Sequence, residues 1–301
     1  MTSLTAERIV RTESEKGRFY VGKKRRQLLM NTFAYLVLGL GGIATLVPFY
    51  WMVASSLKSL GEIYQFPPTL LPSTLHFENY ILAWRIIPFA TFFRNTAYIS
   101  LSVTLGQLFT CSLAGYAFAR LRFPGRDRIF LLYLSTMMVP FSVVMIPLYI
   151  LMRNLGWIDS HLALIVPGLV SVFGTFLMRQ FFSTIPKELE DAARIDGCSF
   201  FRLYWTIMLP ISKPAVATLG ILTFMNTWND FLWPLIVIST IPHKTLPLGL
   251  LMLLEQQAIK TPWHMVMAAG TFSILPILVV FTLGQKYYVQ GIVTSGLKGS
   301  A

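Results

Sequence analysis

The stretch "WHMVMAAGTFSILPILVVFTLG", Trp263–Gly284, contains no Asp, Glu, Lys or Arg. About 20 apolar residues in helical conformation cross the hydrocarbon core of a bilayer, so a run of this kind reads as a transmembrane helix. Thr261 stands before it as an N-cap, with Pro262 in its first turn. Five comparable runs precede it: Asn31–Ser55, Asn95–Ala119, Ile129–Met152, Leu162–Phe182 and Pro214–Ile238. Charged residues make up only 13% of the 301 residues, against about 25% in soluble domains. Residues of the AVILMFWYC set make up 54%, and the mean hydropathy is +0.61. A soluble chain of this length would need more polar surface. Strands of a membrane barrel would be about 10 residues long and alternating in polarity. The expected fold is therefore all-α, a polytopic membrane helical bundle with six transmembrane helices.

The net charge of +12 is distributed as an orientation signal rather than as a nucleic-acid-binding face. With six spans both termini share one side. That side collects the basic residues of Arg8–Arg26, the Arg120–Arg128 loop, the Arg179–Lys213 loop, Lys286 and Lys298. The other side has Lys58, Arg85, Arg94, Arg153, Lys244 and Lys260. Lys and Arg concentrate in cytoplasmic loops, which places both termini in the cytoplasm. The first apolar run is too long for a signal-peptide core and lacks a small-residue cleavage site. The chain divides into a basic arm at 1–30, a first span at 31–55, a core at 90–285 and a tail at 286–301.

Several features read as packing. Ser112, Ala114, Gly115 and Ala117 let another helix approach span two closely. Gly39–Gly42 lies within a span and has the same reading. Pro140, Pro147, Pro167 and Pro234 mark either kinks or irregularities whose freed backbone groups neighbouring helices satisfy. The turn-rich segment 59–88, with Tyr80, Trp84 and Phe89 beside it, suits an interfacial cap. Cys111 and Cys198 fall at different depths and read as unpaired thiols. His76, His161, His243 and His264 show no metal-ligand spacing. The Gly- and Ser-containing end, Gln285–Gly299, reads as an extended or disordered tail.

One polar stretch stands apart: "ELEDAARIDGCSFFRLYWTIMLP", Glu188–Pro210. Glu188, Glu190, Asp191 and Asp196 crowd into it although the chain has only 13 acidic residues. Ser183 or Thr184 can cap a helix here, with Pro186 in the first turn. Glu188, Glu190 and Asp191 then sit at the positive end of the helix dipole. Leu189, Ala192 and Ala193 share one narrow apolar stripe. Asp196-Gly197 ends the helix, since Gly tolerates the left-handed conformation. A second helix follows, with Phe200, Leu203, Tyr204, Ile207 and Met208 on its apolar face, stopped at Leu209-Pro210. Alanine has little membrane affinity, so the stripe suits a protein partner, although a plain surface helix pair would carry the same pattern.

This stretch resembles the EAA loop (184–212 here) of binding-protein-dependent ABC importers, a pattern E-A-A-x-x-x-G. Asp191, Ala192, Ala193 and Gly197 match it, with Asp in place of the usual Glu and Cys198 where Ala is common. "YAFARLRFPGR" (Tyr116–Arg126), "NTWNDFLWPL" (Asn226–Leu235) and "GIVTSGLKG" (Gly291–Gly299) resemble the maltose-type inner-membrane permease branch. The likeness runs from span two to the C-terminus and implies a type I ABC importer permease-like fold. It also implies a multi-pass protein of the bacterial inner membrane that moves a sugar or oligosaccharide and performs no covalent chemistry. Glu188, Glu190, Asp191, Ala192, Ala193, Asp196 and Gly197 would then couple the chain to an ABC ATPase dimer. The sequence has no G-x-x-x-x-G-K-[ST] loop. ATP and Mg would belong to that partner, and this chain would bind no cofactor. A second, related permease subunit and a periplasmic or extracellular solute-binding protein complete the implied partners. Membrane lipid surrounds the assembly, and no nucleic acid takes part.

Asp230 is an ionisable group near the middle of the expected fifth span, where a charge costs about 2.5–3.5 kcal/mol on insertion scales. It should face a wet cavity or the bundle interior. Asn226, Trp228, Asn229 and Asp230 together suit sugar hydroxyls and their C–H faces, so they are substrate-pathway candidates. An interhelical polar contact would use the same residues. A permease for another polar solute, such as a glycerol phosphate ester, remains a rival reading. An intramembrane enzyme would need a nucleophile–base pair or HExxH, neither of which is visible.

Overall fold

The computed structural model describes the backbone of residues 3–255 and 261–296, with side chains over 25–255 and 261–286. Among the described residues fifteen α-helices follow one another: α1 (Ser3–Ser56), α2 (Leu60–Ile63), α3 (Glu78–Ile86), α4 (Phe89–Arg120), α5 (Arg126–Ser135), α6 (Phe141–Asn154), α7 (Leu162–Gly168), α8 (Val172–Thr184), α9 (Glu188–Ile195), α10 (Phe200–Leu203), α11 (Leu209–Ile211), α12 (Lys213–Trp228), α13 (Leu232–Val237), α14 (Leu246–Glu255) and α15 (Trp263–Gly296). No strand occurs among the described residues. Among the described residues, four helical segments are individually long and apolar enough to cross a membrane: Arg25–Ser56, Phe89–Arg120, Leu162–Thr184 and Trp263–Lys286. Two bent pairs raise the number to as many as six. One pair breaks before Pro140, where 126–138 and α6 meet at 98°. The other joins 200–211 to α12 at 78°.

Helix α4 is the central post. It packs along α8 on one side and α12 on another, while α12 in turn packs on α15. Of the small residues in span two, Gly115 acts as expected. A Cβ on Gly115 would lie 2.6 Å from Met178 Cβ and 2.9 Å from the Arg179 backbone nitrogen. Helix α1 stands apart, with side chains from Leu28 to Phe49 exposed, and packs on α15 through its final turns around Met52 and Ala54.

The break between α7 and α8 follows Pro167 and frees carbonyls in the middle of an apolar bundle, where each must find a donor. Three residues on one face of α4 supply them. Gln107 Nε2 donates to Gly168 O at 2.7 Å, Thr110 Oγ1 to Leu169 O at 2.5 Å, and Cys111 Sγ to Ser171 O at 3.4 Å. Gln107 Oε1 also accepts from Thr223 Oγ1 at 2.9 Å, which ties α12 to the same point. Cys111 is buried, Cys198 is half-buried, and both are free thiols.

The segment between α1 and α4 is a built cap. Buried Lys58 donates to Thr69 O and lies over the Trp51 ring at 4.7 Å. Buried Glu62 accepts from Thr69 Oγ1, Ser73 N and Ser73 Oγ. Tyr80, Trp84 and Phe89 gather around Phe272 of α15.

Several expectations need correction. The fifth span was drawn to Ile238, but α12 stops at Trp228. Asn and Asp favour local side-chain–backbone bonds over continued helix, and Asn229 Nδ2 takes Met225 O at 2.8 Å. Ser183 and Thr184 do not cap α9, because α8 runs to Thr184 and their hydroxyls donate back to Arg179 O and Phe181 O. The cap residue is Lys187, with Pro186 outside the helix. Pro210 does not stop the second amphipathic helix. The chain passes through a π turn, Tyr204–Met208, and breaks at Ser212 instead. Phe200, placed on the apolar face, is exposed. The tail is helical through Gly296 rather than extended, while Leu297–Ala301 lie outside the described residues. The carbonyls of Thr261 and Pro262 receive the first amides of α15, and no Thr261 side-chain cap forms among the described contacts.

Gly115→Ala should lower stability by about 1–3 kcal/mol, because backbone rather than a flexible side chain blocks the new methyl. A fall in melting temperature of the detergent-solubilised protein would register it.

Candidate functional site: a surface helix at one end and a polar cavity at mid-bundle

Helix α9 sits at the end of the bundle where α4 and α8 finish. Its C-terminus closes with two hydrogen bonds, Cys198 N to Ala193 O and Gly197 N to Arg194 O, both 3.0 Å. Gly197 has φ +78°, the left-handed conformation this closure demands. Glu188, Glu190 and Asp191 lie in its first turn, where carboxylates meet the positive end of the dipole.

The residues assigned to this helix divide between two faces. Ala193 is buried in a cluster with Tyr116, Phe182, Leu203, Tyr204 and Met208. Glu190 turns inward to Arg120 at the end of α4, with Nε–Oε1 at 3.1 Å and side chains only 5% and 13% exposed. The remainder of the guanidinium donates to Phe182 O at 2.6 Å and to Ile185 O. Removing one partner of a pair buried to this degree costs about 3–5 kcal/mol. Glu188, Leu189, Asp191, Ala192, Asp196 and Gly197 stay exposed, and Ile195 is 87% exposed. The expected stripe therefore splits, with Ala193 locking the helix down and Leu189 and Ala192 facing out. Nearby, Asp127 pairs with Arg126 and Arg179 at 3.2 Å each. The Asp127 carboxyl lies below its usual range because Arg126 hydrogen-bonds to it.

At mid-bundle, the α12–α13 break opens a cavity of about 660 Å3. Its polar lining is Gln107, Thr227 and Asp230, and its walls include Phe141, Leu164, Pro167 and Trp233. Asp230 stands in the break itself, with Thr227 and Trp233 beside it in the cavity wall. Trp233 is fixed by its indole N–H to Ala163 O at 2.9 Å. A smaller cavity of about 90 Å3 shares Gln107 and Thr227 and adds Asn226, Ser171 and Thr223.

Of the four pathway candidates, Asp230 and Asn226 reach these cavities. Trp228 does not. It is buried between Phe93 and Phe224, and its indole donates to Ser273 O of α15 at 3.0 Å. Asn229 is exposed and occupied with its own helix. Gln107 and Thr227 were missed. A lone glutamine inside an apolar run was the available signal, since a polar group at such depth needs partners.

The opposite end is tied by Asp159, a non-glycine residue at φ +57°. Its Oδ1 accepts from Ser239 N and Thr240 N at 2.9 Å each, and its backbone N–H donates to Val237 O. Burial pushes this carboxyl up, but the Thr240 and Ser239 hydrogen bonds outweigh it and hold the group down at about 2.

A membrane bundle with a polar mid-depth cavity, a broken helix beside it and a rigid acidic surface helix at one end is the frame of an importer permease. The comparisons agree. Residues 112–294 match the model of the binding-protein-dependent transport system inner membrane component, and the chain belongs to that family. It is 38% identical over 258 residues to the arabinooligosaccharides transport system permease protein AraQ of Bacillus subtilis (strain 168), covering 84% of this chain and 91% of the relative. It is 36% identical over 269 residues to AraQ of Halalkalibacterium halodurans, covering 88% and 96%. The sn-glycerol-3-phosphate transport system permease protein UgpE of Yersinia pestis bv. Antiqua (strain Antiqua) is 34% identical over 273 residues, covering 88% and 97%. A crystal structure of a bacterial ABC transporter involved in the import of the acidic polysaccharide alginate contains a chain of the same fold. Its TM-score is 0.78 at 24% identity, covering 86% of this chain and 96% of that one. The protein is thus a multi-pass membrane permease subunit of an importer rather than an enzyme. Its family works with a partner permease, an ATPase and a solute-binding protein.

A carboxyl held low in the fold stabilises it above its unfolded value and loses that contribution as pH falls through its folded value. The Asp159 tie should therefore be complete above about pH 4, where it contributes about 1–2 kcal/mol after allowance for partial exposure, and disappear toward about pH 2. Asp159→Asn should remove this acid-dependent part at neutral pH. Thermal melts of both forms across the window would check it.

Proposed function

We propose that this chain carries a sugar or oligosaccharide across the bacterial inner membrane as one permease of a heterodimer. Its basic arm, 1–30, and its C-terminal end, 286–301, face the cytoplasm, as the distribution of Lys and Arg favours. A first span at 31–55 joins the transporting core at 90–285. The carrying observation is α9: a helix locked to the bundle through Ala193 and Glu190 that still presents Leu189, Ala192 and Ile195 to solvent. An exposed apolar face beside Glu188, Asp191 and Asp196, on a rigidly held element, suits a groove on an ATPase dimer. ATP and Mg stay on that partner, and this chain binds neither. A solute-binding protein delivers substrate at the Asp159 end.

The carbohydrate assignment draws on the AraQ relatives and on the larger cavity. There Asp230, Gln107 and Thr227 offer hydroxyl-binding groups beside the Phe141 and Trp233 rings. The likeness to UgpE supports the rival, a glycerol phosphate ester. Among the lining residues, however, no Lys, Arg or His stands ready for a phosphate, and Asp230 would repel it.

Ala192→Phe, or Gly197→Asp at its left-handed position, should abolish uptake while the chain still inserts. The ATPase should no longer co-purify. Unchanged assembly and uptake in both variants would remove the docking role. Asp230→Asn should alter uptake kinetics without loss of expression, and kinetics identical to the parent would leave Asp230 a packing role only.

A further inference from the structure

Glu190 belongs by sequence to the acidic docking cluster, yet it is the one carboxylate of that cluster turned into the protein. Its partner, Arg120, is the last residue of α4 and has a side chain only 5% exposed. The guanidinium is shared among three elements. It pairs with Glu190 of α9, and it donates to Phe182 O and Ile185 O at the end of α8, where the helix dipole favours a cation. A planar guanidinium held by two carbonyls through one nitrogen, with its Nε facing a buried carboxylate as an ion pair without hydrogen-bond alignment, is a connector that a lysine could not replace.

Besides this pair, α9 is held to α4 and α8 by the apolar contact of Ala193 with Tyr116 and Phe182, which carries no hydrogen bond. It lacks a side-chain N-cap, its C-terminal closure is internal, and its outward face is free. Beyond Arg120 the two helices are tied to each other along their length. Gly115 allows α4 to touch the α8 backbone, Arg179 Nε of α8 donates to Phe118 O of α4, and Gln107 bonds the α7–α8 break. Gln107 also lines both cavities.

We propose that Arg120 is a positioning residue, the pivot through which a displacement of α9 is passed to α4 and α8 and so to the cavity around Gln107. Glu190 is the α9 half of that pivot and takes no part in docking. The proposal rests on the reading that α9 seats on the ATPase, and its test separates the two.

The assembled transporter is reconstituted in proteoliposomes with Leu222→Cys, at a position that lines the smaller cavity, as a reporter in a Cys198→Ser background. N-ethylmaleimide labelling of the introduced thiol is followed with and without MgATP and vanadate. The parent should change its labelling rate by about tenfold on trapping, a size typical of coupling between two sites. Glu190→Gln and Arg120→Gln should still bind the ATPase subunit, because Leu189, Ala192 and Ile195 remain on the outer face of α9, yet lose most of that change. The double variant should lose no more than either single one, because partners in one contact act non-additively. An undiminished labelling response in Glu190→Gln overturns the pivot. So do additive losses in the double variant. Loss of the ATPase from Glu190→Gln also overturns it, by making Glu190 a docking residue. Failure of the docking reading itself shows separately, as an ATPase that stays bound when Ala192 is changed to Phe.

Discussion

Inside an apolar bundle, a broken helix survives only if its freed carbonyls find donors, because neither lipid nor water supplies them there. The interruption between α7 and α8 meets that condition through Gln107, Thr110 and Cys111, spaced so that one face of α4 covers the carbonyls of Gly168, Leu169 and Ser171. Much else depends on this seam. It fixes the register of α4 against α8, sets the position at which Gly115 can pass the α8 backbone, and carries Thr223 of α12 to the same glutamine. The mid-depth cavities open where the seam leaves polar groups facing space rather than each other.

The two ends of the molecule use different chemistry. At the α9 end, charges join elements: buried Arg120 with Glu190, and half-buried Arg179 with the exposed Asp127 and the Phe130 ring. At the other end, backbone amides converge on side-chain oxygens. Asp159 receives Ser239 and Thr240, and Thr96 Oγ1 receives Leu246 N, while Asn95 donates to Pro242 and Lys244 carbonyls. A charged joint can be stiff yet respond to a partner's field, whereas a backbone-saturated loop mainly resists deformation.

Several misreadings share a cause. Periodicity in an apolar run reports that a segment is buried but not where a helix stops. The fifth span was therefore drawn through Asn229 and Asp230, although those side chains compete for backbone groups and end it. Trp228 stood beside the pathway residues in sequence but faces the opposite way, onto Ser273, because neighbours on a helix point about 100° apart. Ala193 and Glu190 carried the same motif signal as Ala192 and Asp191, and only their packing separates them.

From the sequence alone came the class of fold, most of the span positions, the glycine closure of α9 and the acidic character of that surface helix. These follow from local quantities: apolar length, the conformational freedom of Gly197 and the clustering of charge. Tertiary structure alone decided which face of α9 is free, that Arg120 holds Glu190, and that Gln107 rather than Trp228 borders the cavity beside Asp230 and Asn226. Those outcomes depend on which helices lie side by side and at what rotation, and such contacts between residues far apart in the chain leave no periodic trace in the sequence.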